Sequence, residues 1–199
     1  MPSHFKSDYY SNISFVLYLD ALIGLIDHLR YQEVILCGHS LGGAIAQAYY
    51  FKYPKDLRAL ILVGTGARLR VSPAILEATQ KDIKQYIDTI PVGAFFKKTS
   101  KDIINQFVSD TSKLKPAVIY TDYKICDSFD TLENTSKINV PCLIICGNKD
   151  LLTPPKYSQF FKEKIKNSKL VIVKNAAHMV MLEKPTDVDK AIEEFVNSL

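Results

Sequence analysis

Residues Val34-Ile35-Leu36-Cys37-Gly38-His39-Ser40-Leu41-Gly42-Gly43-Ala44-Ile45-Ala46-Gln47-Ala48-Tyr49-Tyr50 pass from an unbroken apolar run, through G-x-S-x-G, into a helix-like segment. A short apolar run ended by glycine reads as a buried strand, and the segment after it reads as a helix. Strand, turn and helix in that order place a serine on a strained turn with its hydroxyl outward, where it can act as a nucleophile. Gly38 and Gly42 remove the Cβ atoms that would collide where strand and helix nearly touch. Ser40 then stands at a helix N-terminus, where unpaired N–H groups and the helix dipole favour negative charge, and the N–H of Leu41 becomes a candidate oxyanion donor. The chain has eight glycines in 199 residues, so the pattern is rare by chance. The competing reading is a glycine-rich turn that holds a phosphate or nothing, but a phosphate loop calls for a lysine near its end and none is there.

A serine hydroxyl is a weak nucleophile without a base, and the base needs an orienting group. Both candidates follow in the order Ser, Asp, His. The run Cys142-Leu143-Ile144-Ile145-Cys146 breaks at Gly147-Asn148-Lys149-Asp150, and the run Leu170-Val171-Ile172-Val173 breaks at Lys174-Asn175-Ala176-Ala177-His178. Each places its residue just past a strand, and in a parallel sheet those strand ends open on one rim. His178 would take the Ser40 proton while Asp150 holds its tautomer. Asn-Lys-Asp after a strand is also ordinary turn chemistry, and His178 could be a satisfied loop histidine. His4, His28 and His39 fit the role less well: one is near the start, one in a predicted helix, and one in the middle of the turn itself.

The chain resembles the α/β-hydrolases on three segments: Gly38-His39-Ser40-Leu41-Gly42-Gly43, Gly147-Asn148-Lys149-Asp150 followed by Thr153-Pro154, and Ala177-His178 through Glu183-Lys184-Pro185. The resemblance runs from the first residues to the last helix. It implies a serine hydrolase that cleaves a carboxylic ester or related acyl bond of a small, largely apolar substrate through an acyl-enzyme on Ser40, with no metal or organic cofactor. Amide, lactone and carbon–carbon bond hydrolysis use the same machinery.

The amino end departs from the pattern. Pro2-Ser3-His4-Phe5-Lys6-Ser7-Asp8 resembles the P-G-H-G-x-S-D segment that follows the fourth strand in the family, with Ser3 and Phe5 in place of two glycines. The resemblance therefore implies an N-terminally shortened hydrolase that starts after strand four, without the loop after strand three that supplies a second oxyanion N–H. The alternative function is a catalytically impaired or silent hydrolase-like fragment or binding module, since losing one oxyanion donor costs about 10²–10³ in rate. The strand near 33–37 then becomes an open sheet edge, a template for association with a second copy of the chain.

Composition sets the background. The net charge of +4 is mild, and the lysines are scattered rather than striped with aromatics, which argues against a nucleic-acid partner. The longest apolar stretch, 13–26, contains Asp20 and is too short to span a bilayer, and the first ten residues are too polar for a signal peptide. Cys37, Cys126, Cys142 and Cys146 read as core-filling free thiols, three of them on predicted buried strands, which suits a reducing cytoplasm.

Alternating strands and helices predict an α/β fold with a mostly parallel sheet flanked by helices. The pattern predicts strands near 33–37, 58–63, 141–146 and 169–174. It predicts helices from a cap at Ser11 or Asn12 to 29, and near 42–53, 155–167 and 184–198. Between the second and third strands lie about 75 residues, far more than a crossover needs. They read as helices near 73–90, 92–98, 101–110 and 116–128, an all-helical cap over residues 71–136 on a core of 1–70 and 137–199. Ile75, Ile83, Ile87, Phe95, Phe96, Ile103, Phe107, Ile119, Tyr120 and Tyr123 either line an apolar acyl pocket or form the core of that insertion.

Overall fold

Four apolar runs become four parallel strands: β1 (Val34–His39), β2 (Leu57–Val63), β3 (Cys142–Gly147) and β4 (Ser168–Val173), paired in the order β1-β2-β3-β4. The computed structural model describes residues 1–199. Helix α1 (Phe15–Leu29) precedes β1, α2 (Leu41–Lys52) joins β1 to β2, α7 (Pro155–Lys164) joins β3 to β4, and the short α8 (Val180–Glu183) and α9 (Pro185–Val196) follow β4.

Side chains alternate across each strand, so each contributes to two cores. Leu60, Leu62, Cys142 and Ile144 face Ala46, Tyr49 and Tyr50 of α2, Ile26 of α1 and Phe161 of α7. Ala59, Ile61, Val63, Leu143 and Ile145 face Val188, Ala191 and Phe195 of α9. On β1, Val34 and Leu36 join the first core and Ile35 the second. Cys37 points toward the α9 face but is exposed, because α9 packs mainly on β3 and β4, while α2, the helix that packs on β1, covers the opposite face of that strand. The expectation of a buried thiol at position 37 is therefore corrected: β1 is an edge strand whose α9 side is only partly covered, Ile35 being half-buried and Cys37 exposed. Cys142 and Cys146 are buried, Cys126 is half-buried, and all four are free.

Helix boundaries follow local chemistry. Ser14, not Ser11 or Asn12, caps α1, its hydroxyl accepting from the Leu17 N–H at 3.1 Å. The predicted helix over 73–90 is two, α3 (Pro73–Lys81) and α4 (Ile83–Gly93). Asp82 is extended between them, its N–H closing α3 on Ala78 and its carboxylate capping α4 at Gln85. No separate helix forms over 92–98. The Ala94 carbonyl and the Phe96 N–H bond instead to Met179 and Glu183, outside the insertion, and so cannot build a helical ladder. The insertion is completed by α5 (Lys101–Thr111) and α6 (Pro116–Ser128).

The two stems of this insertion run side by side, with Thr131 N–H bonded to the Ala67 carbonyl and Leu69 N–H to that of Phe129. Ile75, Ile83, Ile87, Phe95, Ile103, Phe107, Ile119 and Tyr123 pack around one another and Met179, while Phe96 and Tyr120 lie outside that cluster. Phe95 and Ile119 are buried in the core of the insertion, and the other six are partly buried against it.

At the amino end, Ser3 and Phe5 have φ of 64° and 48°. These left-handed conformations strain any residue with a Cβ, and they fall at the two positions where the family pattern has glycine. The segment keeps a glycine-type backbone without the glycines.

Candidate active site

Ser40 lies between the end of β1 and the start of α2 with φ 51° and ψ −117°, a conformation that costs about 1–3 kcal/mol and persists only where its surroundings fix it. Those surroundings are hydrogen bonds to β2 and the residues after it. The Ser40 N–H donates to the Val63 carbonyl at 3.0 Å, and the Thr65 hydroxyl donates to the Ser40 carbonyl at 2.8 Å. Gly38 makes the turn sterically possible, because a Cβ there would fall well under 3.0 Å from the Gly42 carbonyl. Leu41 is the first residue of α2, so its N–H has no helical carbonyl to pair with and is free for an oxyanion.

Asp150 follows β3 and is 2% exposed. Its carboxylate accepts four hydrogen bonds: from the N–H groups of Leu152 (2.9 Å) and Thr153 (2.8 Å), the Thr153 hydroxyl (2.7 Å) and His178 Nδ1 (2.9 Å). Burial opposes its ionisation, but the hydrogen bonds and the facing imidazole outweigh burial and hold the carboxyl below the ordinary carboxylate value. Asp150 is thus both the turn acceptor its sequence context suggested and the partner of His178.

His178, 5% exposed, sits in the loop after β4. An ionised carboxylate only accepts, so His178 Nδ1 carries the proton and the neutral ring leaves its Nε2 lone pair free, the tautomer a general base needs. Nε2 makes no hydrogen bond, and neither does the Ser40 hydroxyl; since no buried polar side-chain atom is unpartnered, both reach open space. The structure therefore couples Asp150 to His178 directly and brings His178 beside the serine turn without closing the Ser40–His178 hydrogen bond.

What joins the two is His39. Its ring lies 4.6 Å from the His178 ring, centroid to centroid, and its Nε2–H donates to the His178 carbonyl at 2.9 Å. Burial, together with repulsion from the His178 ring whenever that ring is protonated, pushes its pKa down to about 3, so His39 is a neutral donor. Gly147 serves the same convergence, because a Cβ there would strike the Ala176 and Ala177 carbonyls. Sequence reasoning missed the parts played by His39, Thr153 and Glu183. All three lie in the segments that carry the family resemblance, but the part played by Glu183 becomes visible only when the insertion is seen against the His178 loop.

The chain matches the serine aminopeptidase S33 hydrolase family over residues 12–185. It is 37% identical to a thermophilic esterase of known structure, superposing with a TM-score of 0.90 over 99% of this chain and 78% of that one. It is 27% identical over 184 residues to Lipase 3 of Moraxella sp. (strain TA144), covering 81% of this chain and 55% of the lipase. A pimeloyl-[acyl-carrier protein] methyl ester esterase of Neisseria meningitidis (serogroup A, strain Z2491) is 24% identical, covering 100% of this chain and 67% of the esterase. The chain thus spans between half and two thirds of these curated relatives. No helix is long and apolar enough to cross a membrane. A family match across most of the chain, on a parallel sheet whose rim gathers Ser40, Asp150 and His178, makes this chain a member of the serine aminopeptidase S33 family of α/β-hydrolases.

Proposed function

We propose that this chain is a serine hydrolase that cleaves a carboxylic ester or related acyl bond of a small, largely apolar substrate. His178 Nε2 takes the Ser40 proton as Oγ attacks the acyl carbon, and Asp150 stabilises the imidazolium. The Leu41 N–H receives the oxyanion, His178 returns the proton to the leaving alcohol, and water hydrolyses the acyl-enzyme by the same path. Helices α3 to α6, within 71–136, act as a cap over the rim. The observation that carries the reading is the Asp150–His178 pair at 2.9 Å, with the imidazole in the base tautomer beside a serine in a strained turn. The named esterases and lipases among its relatives support an ester substrate.

The free thiols fit a reducing cytoplasm, and the bare edge of β1 fits association with a second copy; a monomer by light scattering at high concentration would count against that association. The function is tested by hydrolysis of p-nitrophenyl butyrate. Turnover by the wild type that is lost in Ser40→Ala supports it, and a folded wild type without turnover contradicts it.

A further inference from the structure

Resting on that reading, we propose that Glu183 is a positioning residue that fixes the helical cap in register with the loop carrying His178. Glu183 ends α8, five residues beyond the imidazole, and forms no ion pair. Its Oε1 accepts from the Ala177 N–H at 2.8 Å. Its Oε2 accepts from the Phe96 N–H at 2.7 Å and the Thr99 hydroxyl at 2.6 Å, both in the segment between α4 and α5. One side chain thus spans from the residue before His178 to the cap.

A second link lies on the other side of the imidazole. The Met179 N–H donates to the Ala94 carbonyl at 3.1 Å, and the Met179 side chain packs with Phe95 and Ile119 in the cap core. His178 is therefore held between two neighbours that are each fastened to the cap segment 94–99, while His39 holds its own carbonyl from the core side. A carboxylate suits this place because it is acceptor-only and can satisfy three donors at short, charge-assisted distances. An amide cannot, since its NH₂ would face one of those donors. Movement of the cap must draw on Ala177 and Met179 together, so cap position and imidazole position change as one.

The test compares wild type, Glu183→Gln and Thr99→Val. Turnover of p-nitrophenyl acetate and butyrate is measured per fluorophosphonate-titrated site, so that loss of folded protein does not register. Glu183→Gln is expected to lower kcat about ten-fold on both esters, the cost of a base held off its productive position. Thr99→Val removes only one cap donor. It is expected to raise KM for the butyrate a few-fold and to speed hydrogen exchange at the Met179 amide about five-fold. Wild-type kcat and KM in both variants, or unchanged Met179 exchange in Thr99→Val, would overturn the proposal. If Glu183→Gln fails to fold, the Thr99→Val measurements decide. The exchange measurement needs no turnover, so its failure is distinct from absence of a titratable serine in the wild type, which would overturn the hydrolase reading.

Discussion

Acidification should destabilise this protein through His39 well before its carboxylates protonate. Burial and the facing His178 ring hold the His39 pKa at about 3, against roughly 6.5 in an unfolded chain. Between those values the unfolded chain binds a proton that the folded one does not, so stability is present above the unfolded pKa and falls as pH drops. At pH 5, about 1.5 units below the unfolded value, the loss from this ring is about 2 kcal/mol. That is a large share of the roughly 5–15 kcal/mol that holds a domain of this size together.

Two other groups must be separated from it. Asp150 acts in the same direction, but its stabilisation is lost only at pH values below the ordinary carboxylate range. His4 has the opposite sign: its hydrogen bond to Asp122 raises its pKa, so its stabilisation is full below about pH 6.5 and fades as pH rises through the folded value. Both groups remain in His39→Gln, which keeps an N–H donor but has no titrating ring. Urea unfolding of wild type and variant at pH 8, 6 and 5 isolates the His39 contribution. The wild-type advantage should shrink by about 2 kcal/mol between pH 8 and pH 5. Parallel pH curves for the two proteins would refute the reasoning.

Three further outcomes follow from the site and the sheet. Asp150→Asn should lower kcat about 10⁴-fold on p-nitrophenyl butyrate, because the amide no longer selects the His178 tautomer that accepts at Nε2. Gly38→Ala should cost about 1–3 kcal/mol in thermal or urea unfolding, because the added Cβ meets the Gly42 carbonyl and forces strand and helix apart. Cys37 should be the first thiol to react with Ellman's reagent on the folded protein, since it is exposed while burial pushes Cys142 up to about 12 and closes it to solvent.

The sheet was legible in the sequence because each strand is a continuous apolar run ended by glycine or a polar cluster, and all four boundaries agree within two residues. The placement of Ser40, Asp150 and His178 at one rim was legible for the same reason: each stands at a strand end, and parallel pairing brings strand ends together. Tertiary demands account for what differed. Phe96 looked helical by composition, yet its N–H is taken by Glu183, 87 residues away. Asp82 looked like a helix interior residue, yet its short carboxylate ends one helix and caps the next. Cys37 looked buried because apolar period cannot tell a central strand from an edge one, which depends on what packs beside it. His39 carried no periodic signal, since its partner is a backbone carbonyl on a remote loop.

The proposed chemistry requires that His178 activate Ser40. Mass-spectrometric mapping of a fluorophosphonate adduct, on wild type and on His178→Ala, measures this directly. One adduct is expected, on the tryptic peptide containing Ser40, formed at least about 10³-fold more slowly without the imidazole. An adduct at another residue, or equal labelling rates in the two proteins, would contradict that chemistry.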